Sequence, residues 1–255
     1  MYYIIQERLY REDEWDDLIQ ALERLELPYE IVHLEPDSDE IKFETERKDV
    51  FCFGALKMAR IGKKYNWEPG CVMTPEHDFT NYRNYYKDNL LNYDSTIYKF
   101  GDDFEWNGRF FCRPTLDTKT FTGKIFSMIE WKEFRNKMLD GSTKTTLTKD
   151  SEIQVCRVKS VQKEFRFYIV DGMIITSSLY REGGMVRYSS VVDDDATEFC
   201  ASMIELHQVA EIFTMDICMY NYEWKIVECG CLNCAGLYKA NIPLLLMAIE
   251  DKYGK

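Results

Sequence analysis

The sequence predicts an α/β N-terminal region, residues 1–105, followed by an α+β region, residues 106–255. Three observations lead there: strand and helix signals alternate through the first third, two hairpins dominate the later part, and the helices there follow strands. Tyr2 to Ile5 is a short apolar strand and Tyr29 to Leu34 a second. Between them, residues 11–25 place Trp15, Leu18, Ile19, Leu22 and Leu25 on one helical face, with acidic residues early, where the helix dipole favours them. Strand, helix, strand at this spacing predicts a βαβ unit and a parallel sheet. A third strand, Val50 to Phe53, runs into Gly54 and a helix over 55–64. Residues 75–95, rich in Tyr and Asn, read as a helix and loop.

In the later part, KEFRFYIV and MIITSSLYR flank Asp171-Gly172, a strong two-residue turn signal. FTMDICMY and WKIVECG flank a second turn around residues 221–223. A helix over 196–212 joins the hairpins, with Asp193 to Asp195 available to cap it. A last helix covers 241–253, with Pro243 in its first turn.

The chain has 255 residues, room for one large domain or two modest ones. No run approaches the roughly 18 apolar residues of a membrane span. The start, MYYIIQERLYREDEWDD, lacks the basic, apolar and small-residue sequence of an export signal. Nine cysteines then read as reduced thiols of a cytoplasmic protein. A net charge of −12 repels phosphate backbones and argues against broad nucleic-acid binding, while leaving room for a local basic pocket.

The hairpins hold the candidate chemistry. With the second turn centred on Tyr222, Asp216 and Glu228 lie opposite each other in otherwise apolar strands. Like charges roughly 5 Å apart across a sheet are destabilising. A cation between them removes the conflict, and Mg²⁺ suits carboxylates and substrate phosphates. The alternative is an exposed pair on an edge hairpin. In the first hairpin, Arg166 is expected opposite Ser177, with Glu164, Arg166 and Arg181 on one face. Guanidinium forks suit phosphate and carboxylate groups, and a solvated, salt-bridged face is the alternative. A third segment, FFCRPTLDTKTFTGKIF, ends a strand at Arg113-Pro114 and continues into a loop with Lys119 and Lys124. Such a loop can hold phosphates, although neither a Walker A motif nor GxGxxG is present.

Taken together, FCRPTLDTKTFTGKIF, VKSVQKEFRFYIVDGMIITSSLYREGG and MDICMYNYEWKIVECGCLNCAGLY resemble the ATP-grasp superfamily, in particular a divergent clade of phage and bacterial amide ligases. The most specific parts are the Glu-x-Arg strand, the SSLYR return strand and the Asp…Glu…Asn-x-Ala-Gly-x-Tyr ending. The resemblance implies a nucleotide held between two antiparallel-sheet subdomains, with ATP and Mg²⁺ as cofactors. It implies a carboxylate–amine ligase acting through an acyl-phosphate on small-molecule, peptide or protein substrates. By the same resemblance, Arg113, Lys119, Lys159, Val161 and Glu164 contact the nucleotide, and Arg166 and Arg181 face the transferred phosphate. Arg113 stands where most of the superfamily has Lys. Lys159 and Val161 are expected on a strand lining the nucleotide. Asp216 and Glu228 match the metal ligands. Gly230 stands where the third ligand, an Asn, is usual, so Asn233 is taken as its substitute. A phosphotransferase and a degenerate nucleotide-binding protein are the rival classes. Cys229, Cys231 and Cys234 have a spacing that also suits a thiolate metal site.

Overall fold

The computed structural model describes residues 1–35, 38, 40–116, 121–143 and 145–254. The N-terminal region is the expected parallel sheet. Its strands are β1 (Tyr2–Gln6), β2 (Tyr29–Val32), β3 (Asp49–Phe53) and β4 (Glu68–Gly70), in the order β2-β1-β3-β4. Helix α1 (Glu12–Arg24) crosses between β1 and β2, and α2 (Leu56–Tyr65) leads into β4. The Tyr- and Asn-rich stretch forms α3 (Phe79–Tyr86), capped by Asp78, whose carboxylate accepts from Thr80 N–H at 2.8 Å.

A small antiparallel sheet follows, built from β5 (Thr96–Lys99), β6 (Phe110–Pro114), β7 (Lys124–Phe126) and β8 (Glu152–Arg157) in the order β5-β8-β6-β7. Helix α4 (Met128–Leu139) begins with a capping box in which Ser127 and Glu130 satisfy each other's backbone N–H. Trp131 of α4 packs against Phe100, Phe104, Phe110 and Phe126 in an aromatic core. The expected division at residue 105 falls inside this sheet, between β5 and β6, because β5 pairs with β8.

The large sheet is antiparallel throughout. It comprises β9 (Lys163–Val170), β10 (Met173–Glu182), β11 (Met185–Ser189), β12 (Ile212–Tyr220) and β13 (Glu223–Gly230), in the order β11-β10-β9-β12-β13. Phe165, Phe167 and Ile169 of β9 enter a core with α3 and with α5 (Asp194–Leu206). On the opposite face, Tyr168 and Val170 share a core with Tyr3, Phe51, α1 and α6 (Ile242–Tyr253). The N-terminal region and the large sheet are thus packed on one another.

Two expectations need correction. Helix α5 ends at Leu206 and does not reach 212. His207 is extended; its carbonyl accepts from the Tyr86 hydroxyl at 2.8 Å, and its ring stacks on Tyr85 at 3.8 Å. These contacts take His207 out of the helix. In the first hairpin Arg166 lies opposite Ser178, not Ser177, because the register shifts between Ile174 and Thr176. A second shift, between Leu179 and Arg181, sets Arg181 opposite Glu164. Such bulges re-aim side chains beside functional sites.

Candidate active site

The expected opposition of Asp216 and Glu228 is present, for a different local reason. The turn has two residues, Asn221 and Tyr222, with φ of 51° and 64°. A register shift between Asp216 and Ile217 then supplies the extra residue that aligns the acids. Glu164, Arg166 and Asp216 are 7%, 6% and 3% exposed, so neither a solvated polar face nor an exposed edge pair describes them.

The small sheet closes over this face of the large one. Phe111, Arg113 and Pro114 of β6, with Phe121 to Gly123, meet Glu164, Tyr180, Arg181, Asp216 and Glu228 around a cavity of about 240 Å³. Within the small sheet Gly123 lies tight against β6: a Cβ there would stand 2.5 Å from Phe111 Cζ. Arg113 forms a close ion pair with Glu228 across the two sheets. Larger concavities exist, such as one of about 690 Å³ between β4 and the end of α6, but of its charges Lys48, Asp49 and Glu68 are solvent-exposed and Lys252 is paired with Asp171.

Arg166 holds Asp216 with both arms of its fork, Nε and Nη2 each donating at 2.8 Å. Its Nη1 donates to Gly236 O at 3.3 Å, and Nη2 lies 3.9 Å from Glu228. Burial alone lowers the guanidinium pKa, and the Asp216 charge more than reverses that, so Arg166 stays charged. Arg166, expected to face a phosphate, is paired with Asp216 and is not among the residues lining the cavity. Arg181, half exposed, lies 3.3 Å from Glu164 Oε1, and the Tyr180 hydroxyl donates to Glu164 Oε2 at 2.8 Å. Burial raises the Glu164 pKa; the Tyr180 hydrogen bond and the Arg181 charge oppose the rise.

Several expected residues lie elsewhere. Lys119 lies outside the described residues. Lys159 and Val161 sit in the connection between β8 and β9, not on a strand. Lys159 is paired with Asp94 and donates to Asn92 Oδ1 at 3.3 Å. Val161 lines a separate concavity with Lys163, Gly183 and Met219. Asn233 is not with the acids: its Nδ2 donates to Cys52 O at 2.6 Å and Gly70 O at 3.2 Å, and its Oδ1 accepts from Val72 N–H at 2.8 Å. It is a clamp joining β3 and β4 to the turn after β13. Asn233→Ala is therefore expected to destabilise the fold by about 1–3 kcal/mol for each buried group left unsatisfied, without altering Mg²⁺ dependence. Denaturant unfolding and a Mg²⁺ titration check the two halves.

Tyr180 escaped the sequence reading because simple alternation sends it to the face opposite Arg181; the bulge brings both to the site. Gly236 and Tyr238, beneath Arg166, were visible only as motif letters.

The acids suit Mg²⁺ in one particular form. Among the described residues no group of three or more His, Cys, Asp or Glu side chains is arranged to hold an ion by itself. Two opposed carboxylates beside arginines fit a magnesium ion that arrives with phosphates, which is how that ion is usually bound. The same observation corrects the thiolate reading of Cys229, Cys231 and Cys234. Cys229 lies in the core beside α3 and α5, whereas the Cys231 thiol donates to Val72 O at 3.5 Å. None of the nine cysteines is in a disulfide.

An antiparallel small sheet closed over a large one, with basic and acidic side chains between them, is the arrangement of a nucleotide-gripping ligase fold. A family model for an ATP-grasp domain, the third family of its clade, matches residues 36–248, and this chain belongs to that family. The fold is shared with D-alanine–D-alanine ligase from Bacillus anthracis, at TM-score 0.59 and 12% identity, covering 98% of this chain and 95% of that one. It is shared with a RimK domain ATP-grasp protein from Sphaerobacter thermophilus, at TM-score 0.58 and 10% identity, covering 91% and 92%. The ATP-grasp ligase PsnB complexed with a minimal precursor aligns at TM-score 0.54 and 11% identity, covering 97% and 98%. Among curated proteins no sequence matches.

Proposed function

We propose that this chain is an ATP-dependent carboxylate–amine ligase that works through an acyl-phosphate and releases ADP and phosphate. The observation that carries the reading is the pairing of buried Asp216 with partly exposed Glu228, opposed across a hairpin and each matched by an arginine, beside the inter-sheet cavity. Asp216 and Glu228 would hold Mg²⁺, which supplies charge neutralisation on the phosphate oxygens. Arg113 and Arg181 line the same cavity and bind the phosphates, joined by Lys119 as the family resemblance implies. By the family resemblance Lys159 and Val161, in the connection between β8 and β9 and outside the cavity lining, would border the rest of the nucleotide.

In the first step a substrate carboxylate oxygen attacks the γ-phosphorus and the bond to the β-phosphate oxygen breaks, releasing ADP. In the second the amine attacks the acyl carbon, loses a proton and expels phosphate. Phosphoryl transfer asks the protein mainly for placed positive charge. The inter-sheet cavity also shields an acyl-phosphate from water. The neighbours include a D-alanine–D-alanine ligase and an enzyme seen with a precursor peptide. They support an amino acid or peptide as one substrate. Among the described residues no helix is long and apolar enough to cross a membrane, and nine cysteines outside any disulfide suit the reducing cytoplasm.

The test is ADP release from Mg²⁺ and ATP, with and without pooled amino acids and peptides. Substrate-stimulated release, abolished by chelation and in Asp216→Asn, is the expected result. ADP release with phosphorylation of an acceptor and no dependence on an amine would favour a phosphotransferase. Failure of the wild-type protein to bind ATP would overturn the nucleotide site.

A further inference from the structure

Beneath Arg166 the chain holds one aromatic ring in an unfavourable backbone conformation. Tyr238 has φ +50°, a region that bulky side chains rarely enter. Its ring folds back over Gly236, where a Cβ would stand 3.0 Å from Tyr238 Cε1. The ring stacks against Tyr180 and Tyr188, with centres 5.2 Å away in both cases. Arg166 Cζ lies 5.0 Å from the centre of Tyr238 and 5.7 Å from that of Tyr180.

Three other parts of the fold tie this turn down. The Tyr168 hydroxyl donates to the carbonyls of Gly236 and Leu237 at 2.7 and 2.9 Å. The Leu237 N–H donates to Glu14 Oε2, from α1, at 3.0 Å. The Lys239 N–H donates to Ser178 Oγ at 3.1 Å. A strained residue persists only when its surroundings over-determine it. Glycine would remove the strain at 238 but also the ring. What the ring supplies is a cation–π face for a desolvated guanidinium. Gly236 O takes Nη1, the ring covers the plane, and Nε and Nη2 are left aligned on Asp216.

We propose that Tyr238 is a positioning residue: its ring, held over Gly236, fixes the Arg166 guanidinium so that Asp216 meets nucleotide-bound Mg²⁺ in one orientation. The inference rests on the proposed Mg²⁺–ATP site and adds to it the role of the Ala-Gly-x-Tyr segment. It predicts an effect on metal coupling with no effect on nucleotide binding as such.

The experiment titrates ADP into the wild-type protein and variants, in EDTA and across a Mg²⁺ series, beside thermal unfolding. Tyr238→Leu is expected to lower the Mg²⁺-dependent gain in ADP affinity by about 10- to 100-fold, the usual cost of losing a support behind a metal ligand. Its affinity in EDTA stays at the wild-type value, and Tyr238→Phe restores the gain. If Tyr238→Leu fails to fold, Gly236→Ala takes its place: it displaces the ring by a few tenths of an ångström without removing it, and the same loss of gain is expected in smaller size. Equal weakening with and without Mg²⁺ would mean a purely structural ring and overturn the inference. So would a wild-type gain in both Tyr238→Leu and Gly236→Ala. Wild-type protein that binds no ADP in either condition overturns the nucleotide site itself, an outcome distinct from a failure confined to the variants.

Discussion

Arg166→Met is expected to lower the unfolding free energy by about 3–5 kcal/mol, the cost of leaving one partner of a buried ion pair behind. Adding Asp216→Leu should return most of that loss while Mg²⁺-dependent turnover stays abolished. The reasoning starts from burial. Arg166 is 6% exposed and Asp216 3%, and the pair is bidentate at 2.8 Å. Desolvating two charges roughly cancels their attraction, so an apolar pair of similar volume is close to neutral for stability. Removing one charge alone leaves the other in a site that cannot hydrate it. The two groups therefore matter to the fold only jointly, and matter to the reaction for their charge. Urea unfolding of the two single variants and the double variant, with ADP release measured on each, separates these contributions. A double variant as unstable as Arg166→Met would mean that Gly236 O and the tyrosine rings, not the ion pair, dominate this site's energetics.

The sequence carries the strand–helix order, the parallel N-terminal sheet and both hairpins in its periodicity. Register is where alternation fails. Asp216 opposite Glu228 is expected from a turn centred on Tyr222, but a shorter turn and a bulge combine to the same pairing. In the first hairpin no such cancellation occurs, and Arg166 moves from Ser177 to Ser178. A bulge beside Ile174 and Ile175 leaves no mark in the pattern, because both are apolar and partly buried, one against each core. Asn233 shows a second kind of limit. Its motif is legible, yet its role depends on Cys52, Gly70 and Val72, carbonyl and N–H groups far away in the chain. No local spacing encodes that. Tyr238 combines the two limits, since its left-handed backbone and its partners Tyr180 and Tyr188 are set by tertiary packing.

Glu228→Gln is expected to move nucleotide binding and turnover in opposite directions. With Mg²⁺ present, turnover should fall by about 10²–10³, the scale of losing one electrostatic contributor to a transition state. In EDTA, ADP affinity should instead rise by roughly tenfold, equivalent to ~1.4 kcal/mol. Glu228 is 18% exposed and lies in the phosphate cavity, where without a metal its charge repels phosphate oxygens. It also holds Arg113, which lines the cavity from β6. Glutamine keeps the shape, removes the repulsion and releases Arg113 from this carboxylate toward the incoming anion. Calorimetric titration of ADP with and without Mg²⁺, set beside steady-state turnover, reads both signs on one protein. A Glu228 that merely tied the two sheets together would weaken binding in both conditions when replaced. Opposite signs require that the same carboxylate opposes phosphate when alone and holds it through a metal, which is the property that the Asp216–Glu228 pairing implies.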